Sequence, residues 1–171
     1  MNVSFDNICL TEGNEPISLF VGRLDPPTKA HCQIITDLYK KYKIPISIFI
    51  IRSDRNTFTL EQQKEILTKC LNVPFTIFTE HNSFIGNIIH KLRLENKEVK
   101  YFACGTDRKK SYEGQLNRYT TKFKLNIQLV ETVRTNGISA TNVRQAIKTR
   151  DKELFKTNMS RKVWSMWKDL N

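Results

Sequence analysis

Residues Ile17 to His31 read ISLFVGRLDPPTKAH, and the order of the parts decides the fold. An apolar run, Ile17 to Val21, breaks at Gly22, passes through a loop carrying Pro26 and Pro27, and gives way to a helical pattern from Thr28. Glycine and proline punctuate chains at such joints, so the stretch is a strand turning into a helix. The opening of that helix leaves backbone N–H groups without intrahelical partners and presents the positive end of the helix dipole, which together accept an anion. Thr28 and His31 stand three apart in the first turn and share a face, so both can point at one ligand.

Outward from this joint, strand and helix alternate. Helix Thr28–Tyr42 leads to strand Ile44–Ile51, whose near-continuous apolar content suits a strand covered on both faces. Thr59, with Gln62 three residues on and Ile66 and Leu67 beyond, opens a helix ending near Leu71. Strand Phe75–Phe78 follows. Ser83 then opens a helix to about Glu95, and Val99–Cys104 is another buried strand. This alternation predicts an α/β, doubly wound parallel sheet of Rossmann-like type, with ligands at the carboxyl ends of the strands. Gly22 and Gly105 fall at two such ends. Between Gly105 and Phe123 the chain is polar and basic, and it reads as a loop and an irregular helix over the site. Ile127–Val130 is the last strand. The tail reads as short helices, Thr141–Thr149, Asp151–Thr157 and Ser160–Asp169, with Asp151 and Ser160 as caps and Trp164 and Trp167 as packing residues. Met1–Pro16 alternates weakly and reads as an edge strand or a leader.

At 171 residues the chain suits one domain. No apolar run approaches the roughly 18 residues that span a bilayer, and the first residues lack the basic start and apolar run of a secretory signal. Cys9, Cys32, Cys70 and Cys104 are widely spaced, without a Cys-x-x-Cys pair, as expected of buried free thiols in a reducing cytoplasm. A net charge of +11 favours polyanionic ligands, whether nucleoside triphosphates, nucleic acid or an acidic surface.

A second anion site is written into ISATNVR, Ile138 to Arg144. Thr141 and Arg144 stand three apart in an opening helical turn just after Ser139, so hydroxyl, guanidinium and free N–H groups can converge on one phosphate.

Together these stretches resemble the nucleotidyltransferase superfamily of cytidylyltransferase-like folds. Gly22-x-x-x-Pro26-x-Thr28-x-x-His31 is similar to its first signature, with Thr28 where His is usual and Ala30 where Gly is usual. The Thr form resembles eukaryotic nicotinamide-nucleotide adenylyltransferases. Ile138-Ser139-x-Thr141-x-x-Arg144 resembles the Ile-Ser-x-Thr-x-x-Arg signature at every specified position. Asn56-Thr57-Phe58-Thr59 is similar to the Asn-Pro-Phe-Thr stretch of the archaeal-type enzymes, with Thr57 in place of Pro, and Gly105-Thr106-Asp107 is similar to their Gly-x-Asp turn near the nucleoside.

The resemblance implies attack by an acceptor phosphate on the α-phosphorus of a nucleoside triphosphate, with pyrophosphate leaving. It gives His31 the role of donor to the phosphates, with Thr28 beside it. Arg144, Thr141, Ser139 and Ile138 would hold the β- and γ-phosphates, while Gly22, Arg23 and Leu24 approach the nucleotide and Gly105 and Asp107 its nucleoside. Arg52, Arg55, Asn56, Phe58 and Arg108 fall to the acceptor side. Magnesium (Mg2+) is implied through the nucleotide phosphates, with no protein-built metal site. The implied partners are ATP and a small phosphorylated acceptor, foremost nicotinamide mononucleotide. The alternatives are pantetheine phosphate, glycerol phosphate or phosphocholine with ATP or CTP, and a non-catalytic nucleic-acid-binding protein of the same fold.

Overall fold

Along the strand Ile46–Ile51 (β2), successive side chains go to opposite sides, and both sides are buried. Ile46, Ile48 and Ile50 enter one hydrophobic cluster while Phe49 enters another. A strand built this way needs a helical layer on each face, and the rest of the chain supplies it. The computed structural model describes residues 14–123, 125–133 and 135–170. In it, β1 (Glu15–Gly22), β2, β3 (Phe75–Glu80), β4 (Lys97–Gly105) and β5 (Gln128–Thr132) form one sheet in the order β3-β2-β1-β4-β5. Every pairing is parallel. The doubly wound α/β sheet expected from the sequence is the observed one.

Helices α1 (Lys29–Tyr42) and α2 (Leu60–Cys70) cover one face, burying Cys32, Ile35, Leu38 and Leu67 against β2. Helices α3 (Ile85–Leu94) and α4 (Thr106–Phe123) cover the other with Ile85, Ile88, Leu92, Tyr112 and Leu116. Strand β1 thus lies between β2 and β4, where the strand order reverses. The β1–β4 pairing ends at Phe20 with Ala103, short of the carboxyl ends of both strands, and this point of the sheet is the usual ligand site of such folds.

Helix α4 corrects the expected loop and irregular helix: it runs unbroken from the residue after β4. Over residues 106–119 its sequence is polar because little of it is buried. Tyr112 and Leu116, four apart, drop into the core, and the Tyr112 ring meets Phe102 edge-on at 4.7 Å. Gln115 accepts the backbone N–H of Ile85 at 3.0 Å, closing the first turn of α3.

The tail forms a third cluster over α2. Helices α5 (Ala140–Thr149) and α6 (Lys152–Asn158) pack Val143, Ala146 and Phe155 against Phe58 and Ile66. Ser139, Asp151 and Ser160 each accept a backbone N–H as caps. The last of the expected short helices, Arg161–Asp169, is a 3₁₀ helix. Its apolar residues recur every third position, Val163 with Met166 and Trp164 with Trp167, which matches three residues per turn. Both tryptophans pack as expected: Trp167 lies 5.0 Å from Phe155, and Trp164 donates to the Met159 carbonyl. Residues 1–13, with Cys9 and most of the expected leader, lie outside the described residues. Among the described residues no helix is long and apolar enough to cross a membrane.

Candidate active site

A cleft of about 330 Å³ opens over the carboxyl ends of β1 and β4, lined by Gly22, Arg23, His31, Gly105, Asp107 and Arg108 among others. His31 is fixed in its wall from behind. Thr28 caps α1 in an extended conformation (φ −93°, ψ 168°), and its backbone N–H donates to His31 Nδ1 at 3.0 Å. The Thr28 hydroxyl stands 3.0 Å from the same nitrogen. A ring nitrogen that accepts an N–H carries no proton, so the neutral imidazole keeps its proton on Nε2. That donor sits on the ring edge turned away from the helix start. Phe20 packs edge-on to the imidazole at 6.2 Å and limits its rotation. Thr28 itself is 1% exposed; it holds the ring and does not line the cleft.

Beneath the loop lies a buried polar network with no signal in the sequence pattern. Asp25, 2% exposed, accepts the backbone N–H groups of Thr57 and Phe58 at 2.9 and 2.8 Å. Its main-chain carbonyl accepts Arg144 Nη1, and its carboxylate stands 3.9 Å from that nitrogen. Arg144 Nη2 donates to Thr141 Oγ1 at 3.0 Å. The opening of α5 is thereby clasped to the loop between Gly22 and Thr28, so the two stretches that the sequence singles out meet. Arg144 flanks this loop and does not line the cleft.

Gln63 of α2, fully buried, holds the same loop from below. Its Nε2 donates to the carbonyls of Arg23 and Leu24 at 2.9 and 2.6 Å, and its Oε1 accepts Arg52 Nη1 at 2.6 Å. Between those carbonyls Leu24 adopts φ 48°, a left-handed conformation that costs a residue with a Cβ roughly 1–2 kcal/mol. The two bonds from Gln63 keep it there. Asp25 and Gln63 contact groups more than thirty positions away in the chain, which local patterning does not report.

The remaining expected residues divide. Arg23 and Arg55 border a shallow depression of about 340 Å³ beside the cleft, with Ser53 and Asp54. Arg52 points inward instead, its Nη1 shared between the Phe58 carbonyl and Gln63. Asn56 closes its own turn, accepting the Ser53 N–H at 2.8 Å. Phe58 is 2% exposed and packs with Val143 and Phe155, so it belongs to the core and not to an acceptor pocket. A ring at the end of a polar loop reads as exposed until the tail that folds over it is known. Leu24 is buried beneath the loop, Ser139 uses its hydroxyl to cap α5, Ile138 is half-buried and Thr141 is exposed. Tyr112 and Cys104 complete the cleft wall. Burial pushes both the Tyr112 phenol and the Cys104 thiol up, so at neutral pH they add no charge.

Residues 19–146, which include both loops and the whole cleft wall, match the model of the cytidylyltransferase-like family. The chain belongs to that family. Comparison with curated protein sequences finds no match. Among solved structures, a Vibrio parahaemolyticus protein assigned as a nicotinate-nucleotide adenylyltransferase superposes with a TM-score of 0.64 at 12% identity, covering 91% of each chain. Plasmodium falciparum nicotinic acid mononucleotide adenylyltransferase, complexed with APC, gives 0.62 at 16% identity, over 92% of this chain and 98% of the other. Thermotoga maritima TmcAL, bound with alpha-thio ATP, gives 0.64 at 11% identity, over 91% of this chain and 55% of the other. At these identities the likeness is one of fold.

In this cytidylyltransferase-like chain the Asp25 carboxylate joins three parts: the loop after β1, the loop before α2 and the opening of α5. Asp25→Ala removes the acceptor of two N–H groups, and leaving such groups unpaired costs about 2–3 kcal/mol in total. The expected result is an earlier denaturant midpoint with an unchanged slope, read by urea unfolding. A shift under about 0.5 kcal/mol, the scale of an ordinary surface change, would refute this role.

Proposed function

We propose that the protein transfers the adenylyl group of ATP to nicotinamide mononucleotide, forming NAD and pyrophosphate. The carrying observation is the His31 imidazole, held by Thr28 with its Nε2–H facing away from the helix start, in the wall of a cleft over the β1 and β4 ends. An oxygen of the acceptor phosphate bonds to the α-phosphorus. The bond from that phosphorus to the bridging oxygen breaks, and its electron pair leaves with pyrophosphate. Such transfer asks a protein for placement and for stabilisation of charge on the phosphoryl oxygens. His31 would donate to the α-phosphate and bridge, and Arg144 would supply the guanidinium for the leaving phosphates. The kinship of fold with nicotinate-nucleotide adenylyltransferases supports a pyridine mononucleotide as acceptor.

Magnesium would arrive on the triphosphate. Among the described residues no three His, Cys, Asp or Glu side chains are grouped to hold a metal ion, and the Asp25 carboxylate is taken up by backbone N–H groups. The described residues do not fit a protein-built cage for the ion.

The test is pyrophosphate release with magnesium, ATP or CTP, and each of nicotinamide mononucleotide, nicotinic acid mononucleotide, pantetheine phosphate, glycerol phosphate and phosphocholine. Turnover with ATP and nicotinamide mononucleotide is expected. Turnover with a different acceptor or with CTP would overturn the substrate and keep nucleotidyl transfer. Silence in every arm, with salt-dependent binding to DNA or RNA, would replace the enzyme reading by the nucleic-acid one.

A further inference from the structure

Asn158 is the last residue of α6 and lies beyond residues 19–146, the part of the chain that matches the family model. It is fully buried, and a buried amide is costly unless both of its ends find partners. Both do. Nδ2 donates to the Leu154 carbonyl at 2.9 Å, one turn back in its own helix. Oδ1 reaches out of that helix and accepts the backbone N–H of Ser139, the cap of α5, at 2.8 Å. The Asn142 side-chain amide stands 3.4 Å from the same oxygen and also donates to the Gly137 carbonyl at 3.0 Å. Gly137 takes φ 77°, the left-handed region, at the turn that leads into α5. One buried side chain thus ties the turn before α5, its cap and its first turn to α6.

Packing alone does not ask for an amide here. Its neighbours Phe155 and Met159 are apolar and buried, and an apolar side chain would fill the same place without the cost of taking a polar group out of water. What the amide supplies is direction. Helix α5 already has its own cap, the Ser139 hydroxyl accepting the Asn142 N–H at 3.0 Å, so the bond from Asn158 adds little to starting the helix and much to fixing where it starts. Arg144 stands on that helix, with Nη1 on the Asp25 carbonyl and Nη2 on the Thr141 hydroxyl. A shift of the α5 opening therefore moves the guanidinium with it.

We infer that Asn158 is a positioning residue for the nucleotide: it holds the opening of α5 from the buried side and so sets the direction in which Arg144 reaches the leaving phosphates. This role presupposes the nucleotide reading given above for Arg144. It extends the working part of the molecule into α6, whose only other visible task is to pack Phe155 against the tail.

The experiment is calorimetric titration with magnesium and α,β-methylene ATP, in which carbon replaces the bridging oxygen that would leave, so binding is read without turnover. Asn158→Leu keeps the packing and strands the Ser139 N–H. With the circular dichroism spectrum unchanged, it should bind the analogue about tenfold more weakly, a part of the hundredfold that a misplacement of about 1 Å can cost. Asn142→Ala, at a half-buried position, removes the second contact to the same oxygen and should weaken binding about threefold. The double variant Asn158→Leu with Arg144→Ala separates positioning from packing. If Asn158 acts through Arg144, the double variant binds within about twofold of Arg144→Ala alone, because members of one network do not add. Undiminished binding in Asn158→Leu, or a further loss of about tenfold in the double variant, would overturn the positioning role and leave nucleotide binding standing. Should Asn158→Leu not fold, Asn142→Ala decides, and binding equal to the parent's would overturn the role. A parent protein that does not bind the analogue would overturn this role and the nucleotide reading together.

Discussion

Replacing Arg144 by alanine is expected to lower kcat/KM for the nucleotide by about 10²–10³-fold, the usual loss when one positioned donor to a developing negative charge is removed. The protein should stay folded. The buried Asp25 carboxylate loses the cation at 3.9 Å but keeps the N–H groups of Thr57 and Phe58, and the guanidinium, one-third exposed, leaves little cavity. Arg144→Lys separates charge from shape. A guanidinium can keep one nitrogen on the Asp25 carbonyl and another on Thr141 while its remaining N–H groups turn to phosphate, whereas an ammonium is a point charge that cannot fork. Lysine should therefore recover less than about a tenth of the lost rate, with most of the deficit in kcat. Steady-state pyrophosphate release in the three proteins decides it. Equal kcat/KM in Arg144→Ala and the parent would remove Arg144 from the reaction.

The parts of this molecule that were legible in its sequence are those fixed by local chemistry. Strand β2 shows its two covered faces in its own composition, and Thr59 with Gln62 announces α2: Gln62 N donates to Thr59 Oγ1 and Thr59 N to Gln62 Oε1. The motif around His31 was readable because a helix opening and a side chain three residues on are neighbours whatever surrounds them. Helix α4 was not, since its hold on the core rests on Tyr112 and Leu116 in an otherwise polar run interrupted by Gly114. Phe58, Asp25 and Gln63 share a different obstacle. Each takes its meaning from a partner on another element, and the packing of α2 against α1 and the tail sets those meetings. Arg52 shows the consequence: with Arg55 it reads as a residue of the acceptor side, yet its guanidinium serves Gln63 and the Phe58 carbonyl.

His31→Asn is expected to reduce kcat by about 10²–10³-fold with the fold intact, and the choice of asparagine carries the argument. At this position the imidazole does two things with opposite edges: Nδ1 accepts the Thr28 N–H, and Nε2–H is the donor on the other edge. An asparagine carbonyl can accept the same N–H, so the opening of α1 stays closed, but its short side chain cannot carry a donor to where Nε2 stands. His31→Ala loses both functions. It should therefore match His31→Asn in kcat and fall below it in stability by about 1 kcal/mol, the ordinary worth of a satisfied group at a helix opening. Parallel measurement of pyrophosphate release and of urea midpoints separates the two edges of the ring. Were His31→Asn to keep its rate within about threefold, a difference of only about 0.7 kcal/mol in barrier, the imidazole would be a helix cap alone and the phosphates would have to be met from Arg23, Arg108 and Arg144.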